Sequence, residues 1–186
     1  GRYWLLNTMG TIDGVKTGKS LGNSFTVQDV LTGNHPRLSQ PYAPLALRYF
    51  ILSSHYRQTS DFTDEALSSA ARGYERLLGT VTTVRQMLAR ADEGPEAVDI
   101  QAVIDEHQDR FLAAMNNDFN TPQALAALFD FNRAVNSLLN SDQPVTRGTL
   151  EAVDRIYRAL GGEILGIVPE ELSGSGGTSA GLEETL

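Results

Sequence analysis

Beyond Phe25 the chain repeats apolar residues every three or four positions; before it there is no such rhythm. A period near 3.6 puts those side chains on one helical face. It predicts a short helix capped by Thr26, running through Val27, Val30 and Leu31 and ended by Gly33-Asn34. Pro36, Pro41 and Pro44 punctuate a loop, and Pro44 suits the first turn of the next helix. That helix, with Leu45, Leu47, Tyr49, Phe50, Ile51 and Leu52, is apolar around most of its circumference, which predicts burial. Thr63 caps a long helix to about Arg90, with Asp64 and Glu65 in its first turn. Leu67, Tyr74, Leu77, Val81, Val84 and Leu88 form its stripe.

Asp92-Glu93-Gly94-Pro95 breaks the pattern. A helix over 99–116 follows, with Ile100, Ile104, His107, Phe111 and Met115 on one face. Thr121 as N-cap and Pro122 at the first helical position open the next, which presents Leu125, Leu128, Phe129, Val135 and Leu138. A last helix over 147–160 carries Leu150, Val153, Ile156, Tyr157 and Leu160, with Gly161-Gly162 as its terminator. Long amphipathic helices with short connections form an up-down bundle. Residues 173–181 read as a flexible Ser/Gly linker, and 181–186 as the opening of a further helix.

The first 25 residues read as strand and loop, with weak β character from Thr8 to Asp13 and a turn signal at Asp13-Gly14. The loop Lys16-Thr17-Gly18-Lys19-Ser20-Leu21-Gly22-Asn23 is the main candidate for chemistry. Glycines let backbone approach a polyphosphate, and lysines place charge where it builds up on the phosphates. By itself such a loop is more often a solvated surface turn than a nucleotide site. It is not a Walker A loop, because that spacing of glycines before Lys-Ser does not occur.

Charge and composition narrow the classes. The 186 residues carry a net charge of -8, against a nonspecific nucleic-acid binder, although Arg48, Arg57, Arg72, Arg76, Arg85 and Arg90 fall in one stretch. With no cysteine, disulfides and cysteine-ligated zinc are excluded from this chain. No apolar run reaches membrane-spanning length, and no secretory signal is visible. His55 and His107 lack a second metal ligand at recognisable spacing and read as structural; Trp4 suits a core or interface position.

Three segments together resemble a known family. The first is Tyr3-Trp4-Leu5-Leu6-Asn7 with the lysine loop, which resembles the Lys-Met-Ser-Lys-Ser signature of class I aminoacyl-tRNA synthetases and the Leu-Gly-Asn after it. The second, Pro44 to Arg57, resembles the helix named for its Asp-Ala-Leu-Arg motif (DALR); Ala46-Leu47-Arg48 is kept and Leu45 replaces the aspartate. The third is Met115-Asn116-Asn117-Asp118-Phe119-Asn120-Thr121-Pro122-Gln123-Ala124-Leu125. In this order they resemble the cysteinyl-tRNA synthetase family across residues 3 to 186. Thr17 and Gly18 depart from the family's Met and Ser, and Leu6 replaces a histidine.

The resemblance implies a mainly α fold. Residues 1–25 would be the end of a Rossmann-like catalytic domain and 26–57 stem-contact helices. Residues 58–170 would be an antiparallel DALR-type anticodon-binding bundle, and 171–186 a linker with a truncated helix. It implies ATP with Mg as a cofactor, tRNA(Cys) and cysteine as partners, no membrane and a cytoplasmic place. Lys19, assisted by Lys16, would contact the ATP phosphates as pyrophosphate leaves, Ser20 would join them, and Arg48 and Arg57 would be the candidates for tRNA. The family's His-Ile-Gly-His signature and its zinc ligands are absent, so the chain is expected to be an inactive C-terminal part of the ligase when alone. The competing readings are a noncatalytic synthetase-derived helical interaction module and a ligase joining cysteine to an amino sugar. The latter would be expected to diverge at Asp118-Phe119-Asn120-Thr121-Pro122.

Overall fold

The computed structural model describes residues 2, 4–8, 10–18, 24, 26–97, 99–141 and 145–171. The expected linker and final helix, Lys19 and Ser20 lie outside them. A short antiparallel hairpin, β1 (Thr11–Ile12) and β2 (Val15–Lys16), pairs Thr11 with Lys16 and Ile12 with Val15. Asp13 and Gly14 form its two-residue loop, both left-handed (φ 52° and 73°), as the strand twist at such a tight turn requires. Lys16 therefore stands on a paired strand, not in the loop expected from the sequence.

Among the described residues six α-helices follow: α1 (Val27–Thr32), α2 (Pro44–Leu52), α3 (Asp64–Leu88), α4 (Ile100–Asn116), α5 (Thr121–Leu139) and α6 (Arg147–Ile156). The Thr26 hydroxyl accepts from the Asp29 amide at 3.2 Å while the Asp29 carboxylate accepts from the Thr26 amide at 2.7 Å, a reciprocal cap. Thr63 caps α3 through the Ala66 amide, and Pro44 is at the first position of α2.

Two expected ends differ. Asn120, not Thr121, caps α5: its side-chain oxygen accepts from the Gln123 amide at 3.2 Å, and Thr121-Pro122 form the first turn. Asp118 and Phe119 are both left-handed (φ 57° and 52°), and this tight reversal delivers Asn120 to the cap. Nor do Gly161-Gly162 stop the last helix. α6 continues as a π-helical segment, Tyr157–Ile164. There Gly161 admits a close approach: a Cβ on it would meet Val168 Cγ2 at 2.6 Å, and its carbonyl accepts from the Ile167 and Val168 amides.

The helices α3 to α6 form an antiparallel bundle around Leu77, Val81, Val84, Phe111, Phe131 and Tyr157, all essentially without exposure. The buried Tyr157 hydroxyl donates to Asn132 Oδ1 at 2.9 Å, so the one polar group at the ring's end is satisfied. A smaller core of Val30, Tyr42, Leu47, Phe50 and Leu67 joins α1 and α2 to the start of α3. Because α2 serves both cores, Ala46 in the bundle and Leu47 and Phe50 in the smaller one, it binds the two together. Its burial is incomplete, since Ile51 is 51% exposed. No helix among the described residues is long and apolar enough to cross a membrane.

Candidate functional site

The N-terminal segment lies along the turn that leaves α2. The Thr8 amide donates to the Tyr56 carbonyl at 3.0 Å, the Thr11 amide to Ser60, and the Phe62 amide back to Thr11. Asp61 braces the hairpin. Its Oδ1 accepts from the Thr11 hydroxyl at 2.7 Å and from the Gly14 amide at 3.0 Å, and these bonds, the hydroxyl's first, lower its pKa. Arg37 pairs with Asp13 at 2.6 Å on the other side of the loop. Lys16 is exposed at the end of β2, while Lys19 and Ser20 lie outside the described residues.

Arg48 and Arg57 flank the C-terminal half of α2. Arg48 Nε donates to the Leu165 carbonyl at 2.7 Å, tying α2 to the chain beyond the π-helical segment. This backbone contact replaces the helix salt bridge that its place in α2 suggests. Arg57 meets Asp118, which projects from the reversal between α4 and α5. Nε lies 2.6 Å from Oδ2 and Nη2 3.3 Å from Oδ1, while the Tyr56 hydroxyl donates to Oδ1 at 2.6 Å. His55 Nε2 is 3.9 Å from Oδ2, its ring stacked on Tyr56, and the Arg57 guanidinium also lies 5.1 Å from the Tyr56 ring centre.

The Arg57 bonds first, then the Tyr56 hydroxyl, hold the Asp118 carboxyl down at about 2; the same contacts raise Tyr56 and Arg57. A depressed carboxylate contributes stability in full above its unfolded value near ~3.9, and that contribution is lost as pH falls through the folded value. The cluster is therefore expected to persist at pH 4 and open as pH falls toward 2. A carbon-detected carboxyl titration checks this; a midpoint near 4 for Asp118 would show that the contacts do not form in solution.

An open cavity of about 530 Å³ runs between these parts, with Leu5, Asn7, Tyr56, Phe62, Phe119 and Thr121 on its walls. Trp4 is 79% exposed, so it is no part of the core among the described residues, and Phe119 is 52% exposed. His107 is structural: it is buried in the bundle with Nδ1 2.7 Å from the Val103 carbonyl. Among the described residues no three His, Cys, Asp or Glu side chains could hold a metal. Sequence reasoning singled out both Arg57 and the segment around Asp118 but missed that they meet. No residue pattern announces a contact across that separation.

Two family models match the chain. Residues 1–72 match the family model described as the tRNA synthetases class I (C) catalytic domain, and residues 110–169 match the DALR domain. Curated relatives include the cysteine–tRNA ligase of Porphyromonas gingivalis, 39% identical over 180 residues, 96% of this chain and 35% of that one. That of Deinococcus radiodurans is 42% identical over 172 residues, 91% of this chain and 32% of that one. The Chlorobium luteolum ligase is 37% identical over 188 residues, 100% of this chain and 35% of that one. The chain thus spans about a third of the length of these relatives. A solved complex of an Agrobacterium radiobacter K84 LeuRS with tRNA and LeuAMS superposes with a TM-score of 0.64, over 83% of this chain and 20% of that one. At 16% identity, that likeness concerns the fold alone.

Proposed function

Since this chain belongs to the cysteine–tRNA ligase family of class I aminoacyl-tRNA synthetases, we propose that it supplies the phosphate-loop and tRNA-docking portion of such a ligase. The reading rests on one observation above all: the likeness to these ligases covers nine-tenths or more of the chain.

The reaction has two steps. The cysteine carboxylate attacks the α-phosphorus of ATP, forming cysteinyl-adenylate as the bond to pyrophosphate breaks. A terminal ribose hydroxyl of tRNA(Cys) then attacks the carbonyl, and AMP leaves. Lys19 neutralises the charge that grows on the departing pyrophosphate, Lys16 assists from the end of β2, and the Ser20 hydroxyl donates to a phosphate oxygen. Magnesium arrives with ATP as part of that substrate. Zinc belongs, in this reading, to the part of the ligase outside this chain, since among the described residues no three His, Cys, Asp or Glu side chains could hold a metal. In this reading residues 1–25 close the catalytic domain, 26–57 face the inner corner of the tRNA, with Arg48 and Arg57 toward its phosphates, and 58–170 support the anticodon arm. The ligase works in the cytoplasm, and aminoacylation needs the remaining two thirds of the relatives' length, including their second nucleotide signature.

The test is a chimaera of the Deinococcus radiodurans ligase in which this chain replaces the matching segment. It is expected to charge tRNA(Cys) with cysteine, while the chain alone charges nothing. A chimaera that folds and remains inert would sink the reading in favour of a noncatalytic helical module.

A further inference from the structure

We propose that Asp118 is a positioning residue: it orients the Arg57 guanidinium for a phosphate of the RNA backbone. The inference rests on the assignment of Arg57 to tRNA above and adds what holds that side chain in place.

Asp118 has no local task. The cap of α5 is Asn120, whose oxygen takes the Gln123 amide. The side-chain contacts of Asp118 all reach across to His55, Tyr56 and Arg57 on the segment leaving α2. Two successive left-handed non-glycine residues, Asp118 and Phe119, shape the reversal that carries it there, a conformation that persists only where the surroundings enforce it. The exposed pair adds little to stability, because solvent screens it. What the contact does determine is geometry.

Asp118 grips one edge of the guanidinium, through Nε and Nη2, and Tyr56 lies against it as an aromatic neighbour. The Tyr56 hydroxyl fixes the carboxylate in turn. The bonds of Arg57 to Asp118 run through Nε and Nη2 alone, and the side chain is 64% exposed. One edge is thus held and the other offered to solvent. Arginine reads phosphate through a planar fork, and a fork already held loses less freedom on binding.

The sign of one measurement separates this from simple electrostatics. An acid beside an RNA-binding cation repels the RNA, so Coulomb's law alone predicts that Asp118→Asn tightens binding. Positioning predicts the reverse. Binding of an unmodified tRNA(Cys) transcript is measured by fluorescence anisotropy at constant salt for the chain and for Asp118→Asn, Arg57→Ala and the double variant. Arg57→Ala is expected to weaken binding about tenfold and to flatten the salt dependence by about one unit of slope. Asp118→Asn is expected to weaken it roughly three- to tenfold, the loss from one side chain left to be ordered on binding. The double variant is expected to match Arg57→Ala. Tyr56→Phe, which removes only the hydroxyl that steadies Asp118, gives the same direction with a smaller effect and serves if Asp118→Asn unfolds.

Unchanged or tighter binding by Asp118→Asn, with Arg57→Ala weakened, overturns the positioning role and leaves the tRNA assignment standing. An equal loss from Asp118→Asn with or without Arg57 also overturns it, since the effect would then be structural. If Arg57→Ala binds as tightly as the parent, or the parent does not bind, the assignment of Arg57 itself fails and the inference with it.

Discussion

Lys19→Ala in the chimaeric ligase is expected to lower cysteine-dependent ATP–pyrophosphate exchange by about 100- to 1000-fold, the usual consequence of removing one group that stabilises charge developing in a transition state. The loss should fall mainly on kcat. Negative charge on pyrophosphate grows as the phosphorus–oxygen bond breaks, so a lysine that meets it there contributes more to the transition state than to bound ATP. Lys19→Arg should recover part of the rate, because it keeps the charge but not the compact ammonium. Lys16→Ala should cost less: Lys16 sits on a strand paired to Thr11, and its reach is set by the hairpin. Exchange at the parent rate in Lys19→Ala would mean that the loop plays no part in adenylation.

The second large effect lies far from the loop. Asp154→Ala is expected to destabilise the chain by about 3–5 kcal/mol, because it leaves a buried charge without its partner. Asp154 on α6 is buried at 4% exposure, and Arg85 on α3 reaches it through Nε at 2.7 Å. Arg85 also donates through Nη1 to the carbonyls of Pro169, at 2.8 Å, and Glu170, while its buried Nη2 has no hydrogen-bond partner among the described residues. The cation thus ties α3 to α6 and to the chain after the π-helical segment. In a chain of this size the loss corresponds to a Tm lower by roughly 10 °C in a thermal melt. Arg158→Ala is the control. Arg158 bonds the same carboxylate at 2.6 Å, but its side chain is 49% exposed, so its loss should cost under about 1 kcal/mol. The joint replacement Arg85→Met with Asp154→Leu should regain most of the stability, since neither charge is then buried alone. A melt of Asp154→Ala within a degree or two of the parent would show that water reaches Arg85.

The bundle was legible in the sequence because its signals are local. A stripe such as Leu67, Tyr74, Leu77, Val81 and Val84 identifies a helix whatever lies opposite it, and all five side chains are buried. Thr26, Thr63 and Pro44 mark helix starts through bonds or dihedrals within a few residues, and the structure has them there. Asp13-Gly14 marks a tight turn for the same reason. The resemblance to cysteine–tRNA ligases was legible too, because it rests on short segments kept in order.

Signals that depend on partners were not. Thr121-Pro122 looked like a cap and first turn, but the left-handed pair Asp118 and Phe119 moves the cap to Asn120. Gly161-Gly162 looked like a stop, but Val168 packs against Gly161 and the helix continues in π form.

The sequence by itself therefore determined the helices, most of their starts, the hairpin turn and the family, since each is written in residues within a turn or two of one another. Only the tertiary structure decided that Arg57 faces Asp118, that Arg48 bonds Leu165 and that Arg85 shares a buried carboxylate with Arg158. Those contacts join residues far apart in the chain. An isolated charge in a helical pattern carries no mark of the element that packing will bring beside it.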